Sequence, residues 1–576
     1  MLKQKAKVTV LKFGSSVLRS EADLPSAVHE IYRHWREGAQ VIAVVSAFGD
    51  TTDQLMRRAE SVCAEPDKSV LASLLATGEA TASALLTLAL NKVGISARLL
   101  DEVQAKLRTV SGTSDAIPVS VDAARLLGES QRAVVVFPGF IGRDETGNRT
   151  ILGRGGSDLT ALFLAHQLKA KCVLIKDVDG LYTRDPACTT VRSSRFEQVS
   201  YETTLRLGGP VVQSKAVRFA AANKLRFSIT SIGSQNETEV GPFTDRLDGS
   251  GVSSEPLRVA LLGCGTVGGG VYERLAGLAN LFTVTGVGTL TGIRTRALGV
   301  PDHLATDDLE DLIGRDCDVV VELIGTTKYA STLATRALTL GRHFVTANKA
   351  LMAAEGERLS FMARARGVEL RYSAAVGGVL PALEAIEQAR RFGSIRSVSG
   401  VVNGTTNYVL DRLAEGQSIE SAVDAAQRAG YAEANPKFDL NGTDATQKLI
   451  LLARHAFDES LAFNAIERIG IEEIDSEFVR QSLDRGRVIR LVAECAHDNG
   501  RIKASVKPVD LPMSHPLAQV RDADNRLLIE QESGEQLVTS GRGAGRWPTT
   551  EAVMADLFDI RRSHAAKQVA ELEACA

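Results

Sequence analysis

Leu257-Arg258-Val259-Ala260-Leu261-Leu262-Gly263-Cys264-Gly265-Thr266-Val267-Gly268 is the stretch from which the fold can be read. Arg258 to Leu262 has the unbroken apolar character of a buried parallel strand. The glycines then mark a tight turn, and an amphipathic helical pattern follows. This is G-x-G-x-x-G in a strand–turn–helix context, where glycine lets the backbone approach a pyrophosphate seated on the helix N-terminus. Gly263, Gly265, Thr266, Val267 and Gly268 are therefore candidate dinucleotide contacts. The next strand, about Phe282 to Val287, ends in Gly288-Thr289, without the acid that holds an NAD ribose. Arg294 and Arg296 follow; they read either as partners of a 2′-phosphate, favouring NADP over NAD, or as a solvated basic loop.

Outward from this stretch lie 576 residues, enough for about three to four domains. Apolar residues make up 44% and charged residues 24%, as in a globular chain rather than a disordered or fibrous one. A formal charge of −3 lacks the positive field of a nucleic-acid binder. The seven cysteines are scattered without a C-x-x-C pair, which argues against a disulfide framework or zinc site and for a reducing cytoplasm. The N-terminus has no signal-type apolar core, and no stretch approaches about 18 uninterrupted apolar residues, so no membrane association is expected.

The first half alternates strand-like runs (Val8 to Phe13, Val41 to Ser46, Ala133 to Gly139, Cys172 to Asp177) with helical patterns such as Leu24–Arg36 and Asp158–Leu168, which predicts an α/β domain. A polar stretch from about Gly233 to Pro256 reads as a linker. Three loops of this half suit phosphate. Lys12-Phe13-Gly14-Ser15-Ser16 follows a strand; a lysine there meets phosphate charge, although a plain structural turn has the same pattern. Gly153-Arg154-Gly155-Gly156-Ser157-Asp158 opens a helix; Arg154 can grip a carboxylate, and Asp158 is either a cap or a holder of an ammonium. Asp177 to Pro186 places carboxylates beside an Asp-Gly turn, suited to a nucleotide or Mg²⁺.

Together with Val44-Val45-Ser46-Ala47-Phe48-Gly49-Asp50-Thr51-Thr52-Asp53 and Gly78-Glu79, these loops resemble the amino-acid kinase family, aspartokinases in particular, over about residues 7–232. The resemblance implies phosphoryl transfer from MgATP to the side chain of aspartate. Lys12 would stabilise the transferring group, and Ser46, Thr51, Glu79 and Arg154 would position aspartate with Asp158 in support. Lys176, Asp177, Tyr182 and Asp185 would lie on the nucleotide side. The sequence departs from the family in lacking one glycine after Lys-Phe, as glutamate 5-kinases do, and in carrying Pro210 where a lysine is usual, Gln213-Ser214 for His-Pro and Ala187 for a basic residue. No regulatory ACT modules follow.

The second half resembles the homoserine dehydrogenases from about Leu257 to Arg562. The carriers are GCGTVG, VELIGT (Val321 to Thr326), TANK (Thr346 to Lys349), AAVGGVLP (Ala374 to Pro381), NGTTNY (Asn403 to Tyr408), the run Gly430 to Lys448, and Ser540 to Gly545. A helix starting near Gly442 would put Asp444 and Lys448 on one face, either as a surface ion pair or in a polar pocket with Lys349, Glu433 and Asp439. The implied reaction is reversible hydride transfer between NAD(P)H and aspartate 4-semialdehyde, giving homoserine. Lys448 would be the acid/base, and Lys349 would sit near the nicotinamide and the substrate oxygen. Glu433 and Asp444 would hold the substrate ammonium with Asp439 assisting, and Thr326, Gly430 and Gly545 would border the cofactor. The family's sodium loop begins Tyr-Glu; here it is Tyr372-Ser373, with the carbonyls of Val376, Gly378 and Leu380 as candidate ligands.

The expected architecture is α/β: an amino-acid kinase fold over 1–235, a linker over 236–256, a Rossmann domain over 257–390, an α+β substrate and dimerisation domain over 391–535, and a segment over 536–576 returning to the Rossmann domain. Small-molecule substrates and a homo-oligomer are expected. The resemblance implies two activities in one chain; the alternatives are a dehydrogenase with a degenerate kinase half and a kinase acting on glutamate.

Overall fold

The computed structural model describes residues 7–186, 193–209, 211–248, 255–289, 293–432, 435–498 and 500–575. The side chains of 293–294 and 565–575 lie outside that description, as do Ala187, Pro210 and Glu433. The chain forms two compact units, residues 1–254 with 564–576, and residues 255–563.

In the first unit a nine-stranded sheet has the parallel strands Lys171–Lys176, Val8–Phe13, Gln40–Val45 and Val134–Pro138 at its centre. These are the apolar runs of the sequence, each within a residue or two of its expected bounds. They are buried on both faces, as parallel strands must be when helices cover both sides. Pairing of Lys12 with Leu174, and of Phe13 with Ile175, brings the strand ends and their loops to one rim. One expectation is corrected here. The polar stretch taken as a linker contributes Thr238–Gly241 and Arg246–Leu247 to this sheet, the former between Phe196–Ser200 and Phe227–Ser231. Short strands set among Gly, Asn and Asp residues carry too little apolar period to be seen. The helix Lys68–Lys92 is long and apolar enough to span a membrane by length and composition, yet half of that apolar window is buried within the fold.

In the second unit six parallel strands, among them Leu257–Leu262, Phe282–Gly288, Val319–Glu322 and His343–Thr346, form the dinucleotide-type sheet. A second six-stranded sheet, mostly antiparallel, carries Ile395–Val401, Arg487–Asp498, Asp524–Gln531 and Gln536–Arg542. The helix Thr443–Phe457 packs against it, with Leu449 to Ala453 fully enclosed. Two boundaries differ from expectation. The helix Ala382–Phe392 packs on Thr443–Phe457, so the second layer begins before 391. Residues 536–542 pair with Asp524–Gln531 in its sheet, so the return to the first layer starts only with the helix Arg546–Cys575. Phe558 of that helix meets Phe282 edge to face, 5.0 Å between centroids.

Candidate active sites

In the first unit the strands Val8–Phe13 and Lys171–Lys176 each present a buried lysine to the start of the helix Gly156–Leu168. Lys12 Nζ lies 2.8 Å from Asp158 Oδ1, and Lys176 Nζ 2.9 Å from Asp158 Oδ2. Asp158 thus neither caps the helix nor faces outward; the cap position is Gly155, in the left-handed region, with no side-chain cap bond. Lys176, expected on the nucleotide side, is occupied by Asp158 with both hydrogen bonds. The two ammonium groups hold the Asp158 carboxyl down to about 2 against its burial. Burial in turn pushes Lys12 down to about 8, partly offset by Asp158. Gly14 leaves space for the Lys12 ammonium, since a Cβ there would lie 2.7 Å from Nζ.

Glu79 is buried on the helix Lys68–Lys92. Its Oε1 accepts from the Ala47 N–H at 3.4 Å, and its Oε2 is buried without a partner among the described residues. Burial raises Glu79 to about 7. Ser46 and Thr51 lie half-buried at the same rim, and Arg154 is exposed in the glycine loop, whose helix start has uncapped N–H groups for an anion. Asp177 and Asp185 are exposed, while the Tyr182 hydroxyl donates to Asp179 Oδ1 at 2.7 Å.

In the second unit the glycine turn has the backbone that a dinucleotide demands. Gly263 has φ +100°, and a Cβ on it would lie 2.6 Å from the Leu323 carbonyl; one on Gly268 would lie 2.0 Å from the Gly263 carbonyl. The helix Thr266–Ala276 starts without a side-chain cap, so its N–H groups remain available to a pyrophosphate. The donors present fit that group. Thr326 is exposed at the N-cap of the helix Thr327–Thr339, and Gly430 and Gly545 occupy exposed turns. Arg296 is exposed, and the Arg294 side chain lies outside the described residues.

The polar pocket forms around Asp444. Its Oδ2 meets Lys448 Nζ at 2.8 Å and its Oδ1 meets Lys349 Nζ at 2.9 Å. The spacing of four on the helix Thr443–Phe457 makes the first contact local, but Lys448 and Asp444 are buried, not a surface pair. Lys448 Nζ also donates to the Val402 carbonyl at 2.7 Å. Burial opposes ionisation of Asp444, but the two lysines hold its carboxyl well below the usual range. Asp439 is raised by burial and by the Asp444 charge. Glu433 lies outside the described residues.

Three residues given no role in the sequence hold this pocket. Asn403 Nδ2 bridges Asp439 Oδ1 at 2.7 Å and Asp444 Oδ2 at 2.8 Å, relieving the repulsion of two neighbouring carboxylates. Glu322 is fully buried and accepts from Ile324 N, Gly325 N and the Thr346 hydroxyl, tying two strand ends together beside Lys349. Asn525 shares the Val402 carbonyl with Lys448. Asn403 and Glu322 stand in motifs named above; that Asn403 meets Asp439 and Asp444, and Glu322 meets Thr346, is a proximity that chain order does not state. At the candidate sodium loop, Ser373 Oγ lies 3.3 Å from Glu384 Oε1, so a carboxylate faces position 373 from the next helix. The Leu380 carbonyl accepts from Ala382 N at 2.8 Å, leaving one lone pair.

Comparison with known proteins gives the same division. The amino acid kinase family model matches residues 7–234. The NAD-binding domain of homoserine dehydrogenase matches 263–373, and the homoserine dehydrogenase model matches 381–558. A homoserine dehydrogenase of Mycobacterium leprae is 37% identical over 319 residues, 53% of this chain and 72% of that protein. One of Neisseria gonorrhoeae is 32% identical over 317 residues, covering 54% and 73%. The crystal structure of a homoserine dehydrogenase from Thiobacillus denitrificans superposes with a TM-score of 0.52 at 34% identity, over 55% of this chain and 75% of that one.

Proposed function

Since the chain belongs to the homoserine dehydrogenase family and carries an amino acid kinase domain ahead of it, we propose that it phosphorylates aspartate with MgATP and interconverts aspartate 4-semialdehyde and homoserine. The observation that carries the second activity is the cluster of buried Lys448 and Asp444 with half-exposed Lys349, which follows a strand of the glycine turn's sheet.

When bound, the dinucleotide supplies or accepts the hydride. Gly263 to Gly268 would hold its pyrophosphate, with Thr326, Gly430 and Gly545 bordering it. The missing acid after Gly288 favours NADP. Asp444, with Asp439 and Glu433, holds the substrate ammonium. Lys448 delivers a proton to the carbonyl oxygen as it becomes homoserine's hydroxyl, and takes it back in oxidation. Lys349 neutralises charge at the same oxygen. A sodium ion would find carbonyls at Val376, Gly378 and Leu380 and a carboxylate at Glu384. Steady-state oxidation of homoserine with each nucleotide tests this reading. Lys448→Ala should lower kcat by about 10²–10⁴-fold while the protein still binds NADPH. Turnover at the wild-type rate would refute it.

The first activity is supported by the Lys12–Asp158–Lys176 cluster at the sheet rim, with Glu79 beside Ala47. Lys12 would stabilise the transferring phosphoryl group, while Asp158, itself held by Lys176, fixes its ammonium in place. Ser46, Thr51, Glu79 and Arg154 would hold aspartate, and Asp177, Tyr182 and Asp185 would face the nucleotide with Mg²⁺. Trapping of the acyl phosphate by hydroxylamine measures it. Product that disappears in Lys12→Ala supports the kinase; none from the wild-type chain would mean a degenerate domain. More product from glutamate than from aspartate would reassign the acceptor.

A further inference from the structure

Lys448 Nζ offers three N–H directions when charged. One meets Asp444 Oδ2 at 2.8 Å and another the Val402 carbonyl at 2.7 Å. With two directions fixed, tetrahedral geometry sets the third. The aim of Lys448 therefore depends on what holds the Val402 carbonyl, which stands just beyond the strand Ile395–Val401.

Asn525 holds it. This residue is buried on the neighbouring strand Asp524–Gln531, and its Nδ2 donates to Val402 O at 3.1 Å. The two donors fill both lone pairs of that carbonyl. Asn525 Oδ1, by contrast, is buried without a hydrogen-bond partner among the described residues. A buried amide oxygen left unmatched is unfavourable, and an apolar side chain would fill the space without that cost. The amide is thus explained by its N–H side. The Gly543 backbone is pressed onto it: a Cβ at position 543 would lie 1.7 Å from Asn525 Nδ2. The charged groups set around Lys448 are Asp444 on its own helix, Asp439 on the short helix Lys437–Leu440, and Lys349 across Asp444.

We propose that Asn525 is a positioning residue for the dehydrogenase reaction: it anchors the Val402 carbonyl so that the remaining N–H of Lys448 points at the reacting oxygen. The inference rests on Lys448 being the acid/base, and the test separates the two.

Homoserine oxidation is followed at one pH for wild type, Asn525→Ala, Asn525→Asp and Lys448→Ala, resolving kcat from KM, with NADPH binding by fluorescence as the measure of an intact fold. Asn525→Ala should lower kcat by about tenfold to a hundredfold, with KM for homoserine and NADPH binding little changed. Asn525→Asp, of equal size but without the N–H that the Val402 carbonyl accepts, should lower kcat at least as far, again with KM for homoserine and NADPH binding little changed. If Asn525→Ala does not fold, the Asp variant alone decides. Wild-type kcat in the variants, or a loss that falls on NADPH binding and stability while kcat of the folded protein is unmoved, would overturn the role of Asn525. Unimpaired turnover in Lys448→Ala would instead overturn the acid/base reading beneath it.

Discussion

Asp158 is one carboxylate serving two buried lysines, and its removal would leave both without compensation. Asp158→Asn should therefore destabilise the first unit by about 3–5 kcal/mol, seen as a lower Tm of its transition. An unchanged Tm would mean that the cluster opens to water. The sign of its pH dependence follows from the direction of the shift. Asp158 falls from 3.8 to about 2 on folding, so its contribution is whole above 3.8 and is lost as pH drops through about 2. Glu79 has the opposite sign. Raised from 4.5 to about 7, it takes up protons on folding between those values, so its contribution weakens as pH rises through them. If its carboxylate holds the ammonium of aspartate, KM for aspartate should fall as pH rises through about 7. Phosphoryl transfer should then decline as Lys12 loses its charge above about 8. A flat profile across that window, from the hydroxylamine assay, would contradict both assignments.

Strands and helices carry their own tests. The turn from Leu257–Leu262 into Thr266–Ala276 is closed by glycine contacts, and a Cβ on Gly268 would meet the Gly263 carbonyl at 2.0 Å. Gly268→Ala should cost the second unit about 1–3 kcal/mol and weaken NADPH binding, both read by thermal shift with and without nucleotide. Undiminished binding would mean that the turn relaxes. Thr238–Gly241 makes a different point. It lies inside the first sheet, flanked by hydrogen-bonded strands on both sides, so a fragment ending at residue 235 lacks part of that sheet. Such a fragment should fail to give a cooperative unfolding transition, whereas one ending at residue 248 should give one. Equal behaviour of the two would show the added strands to be dispensable.

The whole chain is built from units with separate cores. One core packs Val10, Ile42 and Leu174; others pack Val259 with Phe558, and Leu449 with Leu527. A fragment from Glu255 onward contains the complete dehydrogenase cluster and should oxidise homoserine with the kcat of the full chain. A dead but folded fragment would show that the first unit is needed for that chemistry. Lys12 and Lys349 stand where parallel strands end, and those ends could be found without coordinates, because period and glycine punctuation are properties of neighbouring residues. Lys12 and Gly263 stand out in this way, whereas the roles of Asp444 and Lys448 follow from the resemblance to the dehydrogenases, their spacing alone being that of a surface ion pair as well. Asn403, Glu322 and Asn525 were not given roles, since each acts on a partner that folding alone brings near: Asn403 on Asp439 and Asp444, Glu322 on Thr346, Asn525 on Val402. The linear order of residues was enough to specify α/β architecture, a glycine-rich turn in each half and most of the candidate side chains. Which groups are buried together, which lone pairs are filled and which pKa values move came from packing, because desolvation and hydrogen bonding depend on distance in space and not on separation along the chain.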